Sequence, residues 1–161
     1  MTPANRPDSR KETSLWQSLT TLTTRVNQAL DTRLARTHDV LLTELFALLA
    51  LCEGHPTGTR MQDLADRLGL EQSSVSRLTT RLQRKGLIER VKDDHDRRGV
   101  YCVATPAGQE LATTARLTLA EALGELLDVA AFDEHTAAVV ARLRYSGRPA
   151  DRPMATSEET S

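Results

Sequence analysis

The stretch Thr59 to Gly86, TRMQDLADRLGLEQSSVSRLTTRLQRKG, constrains the fold of this chain more than any other. Thr59 followed by Gln62 has capping-box spacing and predicts a helix that stops at Gly69. After three residues a second helix is predicted over SSVSRLTTRLQRKG, closed by Gly86 as a natural C-cap. Two short helices joined through a tight turn at a glycine match the helix-turn-helix layout.

The segment C-terminal to Gly86 narrows the choice further. GLIERV and GVYCVAT are short runs rich in β-branched and aromatic residues, which predicts two strands joined by the loop around KDDHDRRG. Pro106 ends the second strand and suits the first turn of a helix. Upstream, Leu15, Leu19, Leu22, Val26, Leu30 and Leu34 recur at intervals of three and four, so a long helix with one apolar stripe is expected from Ser14. Asp39 is expected to head a second helix, DVLLTELFALLALCEG, apolar nearly all round and ended by Gly54, Pro56 and Gly58. Downstream, a long helix is predicted from Ala107 to about Ala130, and Asp133 is expected to cap a last short one through Val139, Val140 and Leu143. Aromatic residues make up only 3% of the chain, which leaves Leu, Val and Ala for the core and favours helix.

The expected fold is therefore mainly α with a small β-hairpin wing (α+β in a minor sense), a winged helix-turn-helix with long flanking helices. Residues 1–12 and 146–161, polar and without periodicity, are read as disordered tails. Residues 13–57 and 106–145 are the flanking helices, and 58–105 are the winged lobe.

Placed on a helical wheel, Val75, Leu78 and Leu82 form one inward side. Ser73, Ser76, Arg77, Thr80 and Arg84 lie roughly opposite, a face with almost no apolar surface to bury and well supplied for hydrogen bonds to base edges and phosphates. Between Arg77 and Lys92 the bases Arg77, Arg81, Arg84, Lys85, Arg90 and Lys92 meet only Glu89. A chain of net charge -1 thus carries a local basic patch, while its overall charge argues neither for nor against a polyanion.

The segment RMQDLADRLGLEQSSVSRLTTRLQRKGLIERVKDDHDRRGVYCVATPAG closely resembles the winged helix-turn-helix core of the MarR family of bacterial transcriptional regulators. The resemblance is carried by Leu64, Ala65 and Leu68, by Val75 to Leu78, by Arg81 to Leu87, and by Asp96, Arg98, Thr105, Pro106 and Gly108 in the wing. It spans residues 13–145 and is strongest over 59–108. It implies a two-fold homodimer joined through the first and last helices, binding double-stranded DNA at a palindromic operator with half-sites about one turn apart. Gln72, Ser73, Ser76, Arg77, Thr80, Arg81 and Arg84 then form the recognition-helix contacts. By the same resemblance Arg97 and Arg98 are the wing contacts, with Arg98 placed for a narrow A·T-rich minor groove and Asp96 orienting it or a neighbour. Glu71 departs from the family pattern, which often has a small N-cap residue there; a carboxylate suits a helix N-terminus but repels phosphate.

Other classes are weaker. No paired CxxC or repeated His spacing joins Cys52, His55, His38 and His95 into a metal site, and DDHDRR lacks a calcium-loop pattern. Cys52 and Cys102 read as reduced, mostly buried thiols. No nucleophile stands beside a base at a recognisable spacing, so an enzyme is not expected, and no cofactor is implied. The longest apolar run, LFALLALC, is too short to cross a bilayer, so a cytoplasmic protein without membrane contact is expected. The resemblance implies a repressor released by a small aromatic or phenolic effector, for which Trp16, Arg25, His38 and Phe46 are candidate cleft residues without a readable ligand. The alternatives are a non-specific architectural DNA-binding protein, a regulatory module that binds protein, or a thiol- or metal-responsive regulator of the same fold.

Overall fold

The computed structural model describes residues 9–92 and 100–145. Six helices and three strands follow in the order α1 (Ser9–His38), α2 (Leu42–Cys52), β1 (Thr59–Arg60), α3 (Met61–Leu68), α4 (Gln72–Arg84), β2 (Ile88–Lys92), β3 (Val100–Ala104), α5 (Pro106–Ala130) and α6 (Ala137–Tyr145). The mainly helical architecture with a small sheet is the one expected.

Residues 9–12, expected in a tail, are helical. Arg10, Lys11 and Glu12 are adequate helix formers that add nothing to the apolar stripe, which is why periodicity starts later than the helix. Hydroxyls of Thr13, Ser18, Thr20 and Thr32 each donate to the carbonyl four residues back, keeping these weak helix formers satisfied. Asp39 does not head α2. It turns left-handed at φ 54° just past α1, and α2 starts at Leu42. The start of α2 is satisfied instead by two other acids: Asp31 Oδ1 accepts the Leu42 amide at 2.7 Å and Glu44 Oε2 the Leu41 amide at 3.1 Å.

The expected capping box at Thr59 does not form. Thr59 and Arg60 are a two-residue strand, with Thr59 opposite Cys102 and Arg60 opposite Tyr101, and the N-cap of α3 is Arg60 without a side-chain cap. The sheet is antiparallel in the order β1-β3-β2, with Ile88 opposite Ala104 and Lys92 opposite Val100. Between α3 and α4, Gly69 adopts φ 63°, where a Cβ would be strained. The amides of Gly69 and Leu70 close α3 onto the carbonyls of Asp66 and Ala65. The same pair of bonds closes α4 at Gly86 and Leu87.

The described residues fall into two compact units, 23–126 and the terminal residues 9–22 with 127–145. Within 23–126, one core of Leu48, Leu51, Leu64, Val75, Leu78, Leu82, Ile88 and Cys102 sits beneath α4 and the sheet. A second cluster joins Leu30, Leu34, Leu42, Leu45, Ala115 and Ala122. Thr105 and Gly108 fix how α5 leaves the sheet. The Thr105 hydroxyl donates to the Gly86 carbonyl at 2.7 Å and accepts the Gly108 amide at 3.1 Å. A Cβ on Gly108 would collide with the Leu87 carbonyl oxygen, so only glycine permits this approach.

Candidate nucleic-acid interface

Helix α4 divides as its sequence dictates. Val75, Leu78 and Leu82 are at most 2% exposed, whereas Gln72, Ser73, Ser76, Arg77, Arg81 and Arg84 are exposed and Thr80 is half-buried. The outer face thus contributes little to the core that holds the helix. Ser76, Arg77, Thr80, Arg81 and Arg84 line one shallow groove along it. Near the start of α4, Gln72, Ser73 and Ser76 share an open cleft of about 570 Å³ with Arg60, Gln62 and Arg90. Arg60 Nε donates to the Tyr101 hydroxyl at 2.7 Å, and its guanidinium lies over the Tyr101 ring at 5.5 Å from the centroid, a cation–π arrangement.

Two side chains from neighbouring elements, Arg90 and Glu44, set α4 in place. Arg90, on β2, donates from one terminal nitrogen to the Ser76 carbonyl at 3.2 Å, the Thr79 hydroxyl at 3.0 Å and the Thr80 hydroxyl at 2.8 Å. The strand beside the wing is thereby tied to the middle of the helix. Glu44, on α2, is 2% exposed and receives Arg81 Nε at 3.1 Å and Lys85 Nζ at 3.3 Å. Burial alone would raise the Glu44 carboxyl, but the Leu41 amide, Arg81 and Lys85 together hold it below the ordinary carboxylate range. Lys85 also donates to the Asp39 carbonyl and lies 3.6 Å from its carboxylate. The signal for Glu44 was present in the sequence as one acid inside the apolar run LLTELFALLALC.

The wing residues Asp96, Arg97 and Arg98, and the tip residues Asp93, Asp94 and His95, lie outside the described residues. Cys102 is buried beside Met61, and burial raises its thiol above the usual range despite the opposing pull of Arg90. Cys52 is exposed rather than buried, because it falls on the last turn of α2; partial burial and then Glu53 push its thiol up as well. Among the described residues no three His, Cys, Asp or Glu side chains gather as a metal site. No helix among them is long and apolar enough to cross a membrane. Of the candidate effector residues, His38 bonds to Thr118 at 2.8 Å, Phe46 lines a shallow depression with Leu49 and Arg67, and Trp16 lines an apolar groove in the terminal unit.

A helix, a tight turn, a second helix with an outward polar face and a three-stranded antiparallel sheet define a winged helix-turn-helix protein. Residues 38–99 match the model of the MarR family. Solved structures agree on the fold across more of the chain. The transcriptional regulator BldR from Sulfolobus solfataricus is 22% identical, with 86% of this chain and 96% of that one covered and a TM-score of 0.71. Sco3205 from Streptomyces coelicolor, a MarR family transcriptional regulator in complex with DNA, is 21% identical over 92% and 96%, with a TM-score of 0.70. CouR from Rhodococcus jostii RHA1, bound to p-coumaroyl-CoA, is 26% identical over 80% and 85%, with a TM-score of 0.62. No curated protein matches the chain at the level of sequence.

Proposed function

We propose that this protein is a homodimeric, sequence-specific DNA-binding transcriptional regulator, a repressor that holds a palindromic operator and is released by a small ligand. One observation carries the reading: the outer face of α4 is polar, cationic and exposed, while the opposite face supplies the core. Ser73, Ser76, Arg77 and Thr80 then face base edges in the major groove, and Gln72 and Arg84 face the flanking backbone. Arg97 and Arg98, with Asp96 orienting Arg98, remain the minor-groove residues on the family resemblance. Sco3205, which shares the fold, is in complex with DNA, and this supports a DNA-binding reading here.

A second copy of the chain is the partner that suits the terminal unit. Leu15, Trp16 and Leu143 are 55%, 68% and 57% exposed and line, with Leu19 and Val139, an apolar groove of about 560 Å³. Joining two such surfaces buries them and supplies the two-fold symmetry that a palindromic site requires. An effector suits the separate cleft of about 380 Å³ lined by Leu49, Cys52, Ala112 and Leu117 with Glu53 and Arg116, a partly apolar setting with one group of each charge. The CouR complex with p-coumaroyl-CoA supports a ligand-responsive reading.

Selection of bound duplexes from a random pool, with affinity measured at about 50 and about 200 mM salt, tests the function. An enriched inverted repeat is the expected result. Tight, salt-steep binding without any enriched sequence would instead mark a non-specific architectural protein, and the absence of DNA binding would point to a protein-binding module.

A further inference from the structure

We infer that Glu44 is an affinity-limiting positioning residue, which takes up the charges of Arg81 and Lys85 and so withholds two cations of α4 and its C-cap from the DNA backbone. The inference rests on the DNA-binding reading above. Arg81 is half exposed and shares its groove with Arg77, Thr80 and Arg84, so its place on the helix would suit a phosphate. Its Nε is nevertheless held by Glu44, whose other oxygen takes Lys85 and the Leu41 amide. Arg77 and Arg84, by contrast, meet no carboxylate among the described residues.

A carboxylate this buried is costly to leave without its cations, so the pairing persists when DNA approaches. Phosphate contacts strengthen binding to every sequence alike, by releasing counterions, and carry no sequence information themselves. Withholding Arg81 and Lys85 therefore lowers affinity for operator and bulk DNA alike and leaves the ratio between them to the base contacts. The cations of this region are divided: Arg77 and Arg84 are left to the ligand, and Arg81 and Lys85 are committed to α2 and the turn before it.

The test uses the full chain and four variants, Glu44→Gln, Arg81→Met, Arg77→Met and the Glu44→Gln/Arg81→Met pair. Each is titrated against the selected repeat and a scrambled duplex between about 50 and about 200 mM salt. Each added phosphate contact steepens the salt slope by about 0.9. Glu44→Gln is expected to bind both duplexes several-fold more tightly at about 50 mM salt, with a slope steeper by about 1 to 2 per protomer and a nearly unchanged ratio of repeat to scrambled affinity. Adding Arg81→Met to it should remove about 1 from that slope, whereas Arg81→Met alone should change the slope by far less than Arg77→Met does. A Glu44→Gln protein with unchanged slope, or weakened equally on both duplexes, overturns the inference and leaves Glu44 a fold residue only. Should circular dichroism show that Glu44→Gln does not fold, the single arginine variants decide: equal loss of slope for Arg81→Met and Arg77→Met overturns the inference, and a far smaller loss for Arg81→Met upholds it. Wild-type protein that binds neither duplex removes the DNA-binding reading itself, and the inference with it, before any variant is compared.

Discussion

The core beneath α4 and the terminal unit treat their apolar residues in opposite ways. Under α4, Leu64, Val75, Leu82 and Ile88 are sealed from solvent, and the polar face opposite is left to do something other than fold the chain. In the terminal unit, Leu15, Trp16, Phe132 and Leu143 are exposed, with Phe132 at 92%. Burial of such side chains stabilises by about 1.5 to 3 kcal/mol each. One region is therefore self-sufficient in its apolar packing, and the other presents a surface whose burial is still to be gained.

The sharpest way to break this contrast is to truncate one leucine in each region. Leu82→Ala should cost about 2 to 5 kcal/mol in urea unfolding, through lost transfer energy and a residual cavity. Leu143→Ala, measured at a protein concentration too low for dimers, should cost under about 1 kcal/mol, as exposed positions do. Equal costs would abolish the distinction. Trp16→Glu comes next in size: a charge in the apolar groove proposed to pair two copies should weaken the proposed self-association by about 2 to 4 kcal/mol, read by sedimentation as a shift toward monomer. An unchanged sedimentation coefficient would place the interface elsewhere.

Smaller effects bear on the lobe itself. Gly69→Ala imposes a side chain on a left-handed turn and should cost about 1 kcal/mol, although no atom within 4 Å would meet the new Cβ. A loss of stability without any clash would identify the backbone as its source. The pH dependence follows from Glu44. Its folded carboxyl is held below the ordinary value, so its contribution to stability is present above the unfolded value and is lost as pH falls through the folded one. Acid titration of wild type against Glu44→Gln should show the two stability curves converging as pH falls below the ordinary carboxylate range, and parallel curves would contradict the assignment.

The sequence was most informative where one physical demand dominated. Val75, Leu78 and Leu82 repeat with helical period because one face of α4 must be buried, and Gly69 and Gly86 stand where the backbone must turn left-handed. It was least informative where one residue type serves two geometries. Asp39 suits both a helix start and a left-handed turn, and the turn prevails because Asp31 and Glu44 already satisfy the amides that open α2. Thr59 fits a capping box as well as a strand, and pairing with Cys102 across the chain decides in favour of the strand. A strand of two residues leaves no periodicity to read. Glu44 and Arg90 belong to the same class of omission, since their roles depend on partners 37 to 41 and 10 to 14 residues away.

The proposed reading of sequence by the outward face of α4 is tested most directly by Arg77→Ala. Affinity of wild type and variant is compared on the selected inverted repeat and on a scrambled duplex at the same salt. The expected loss on the repeat is about 1 to 3 kcal/mol, with a much smaller loss on the scrambled duplex. Equal loss on both duplexes, or none on the repeat, would contradict it.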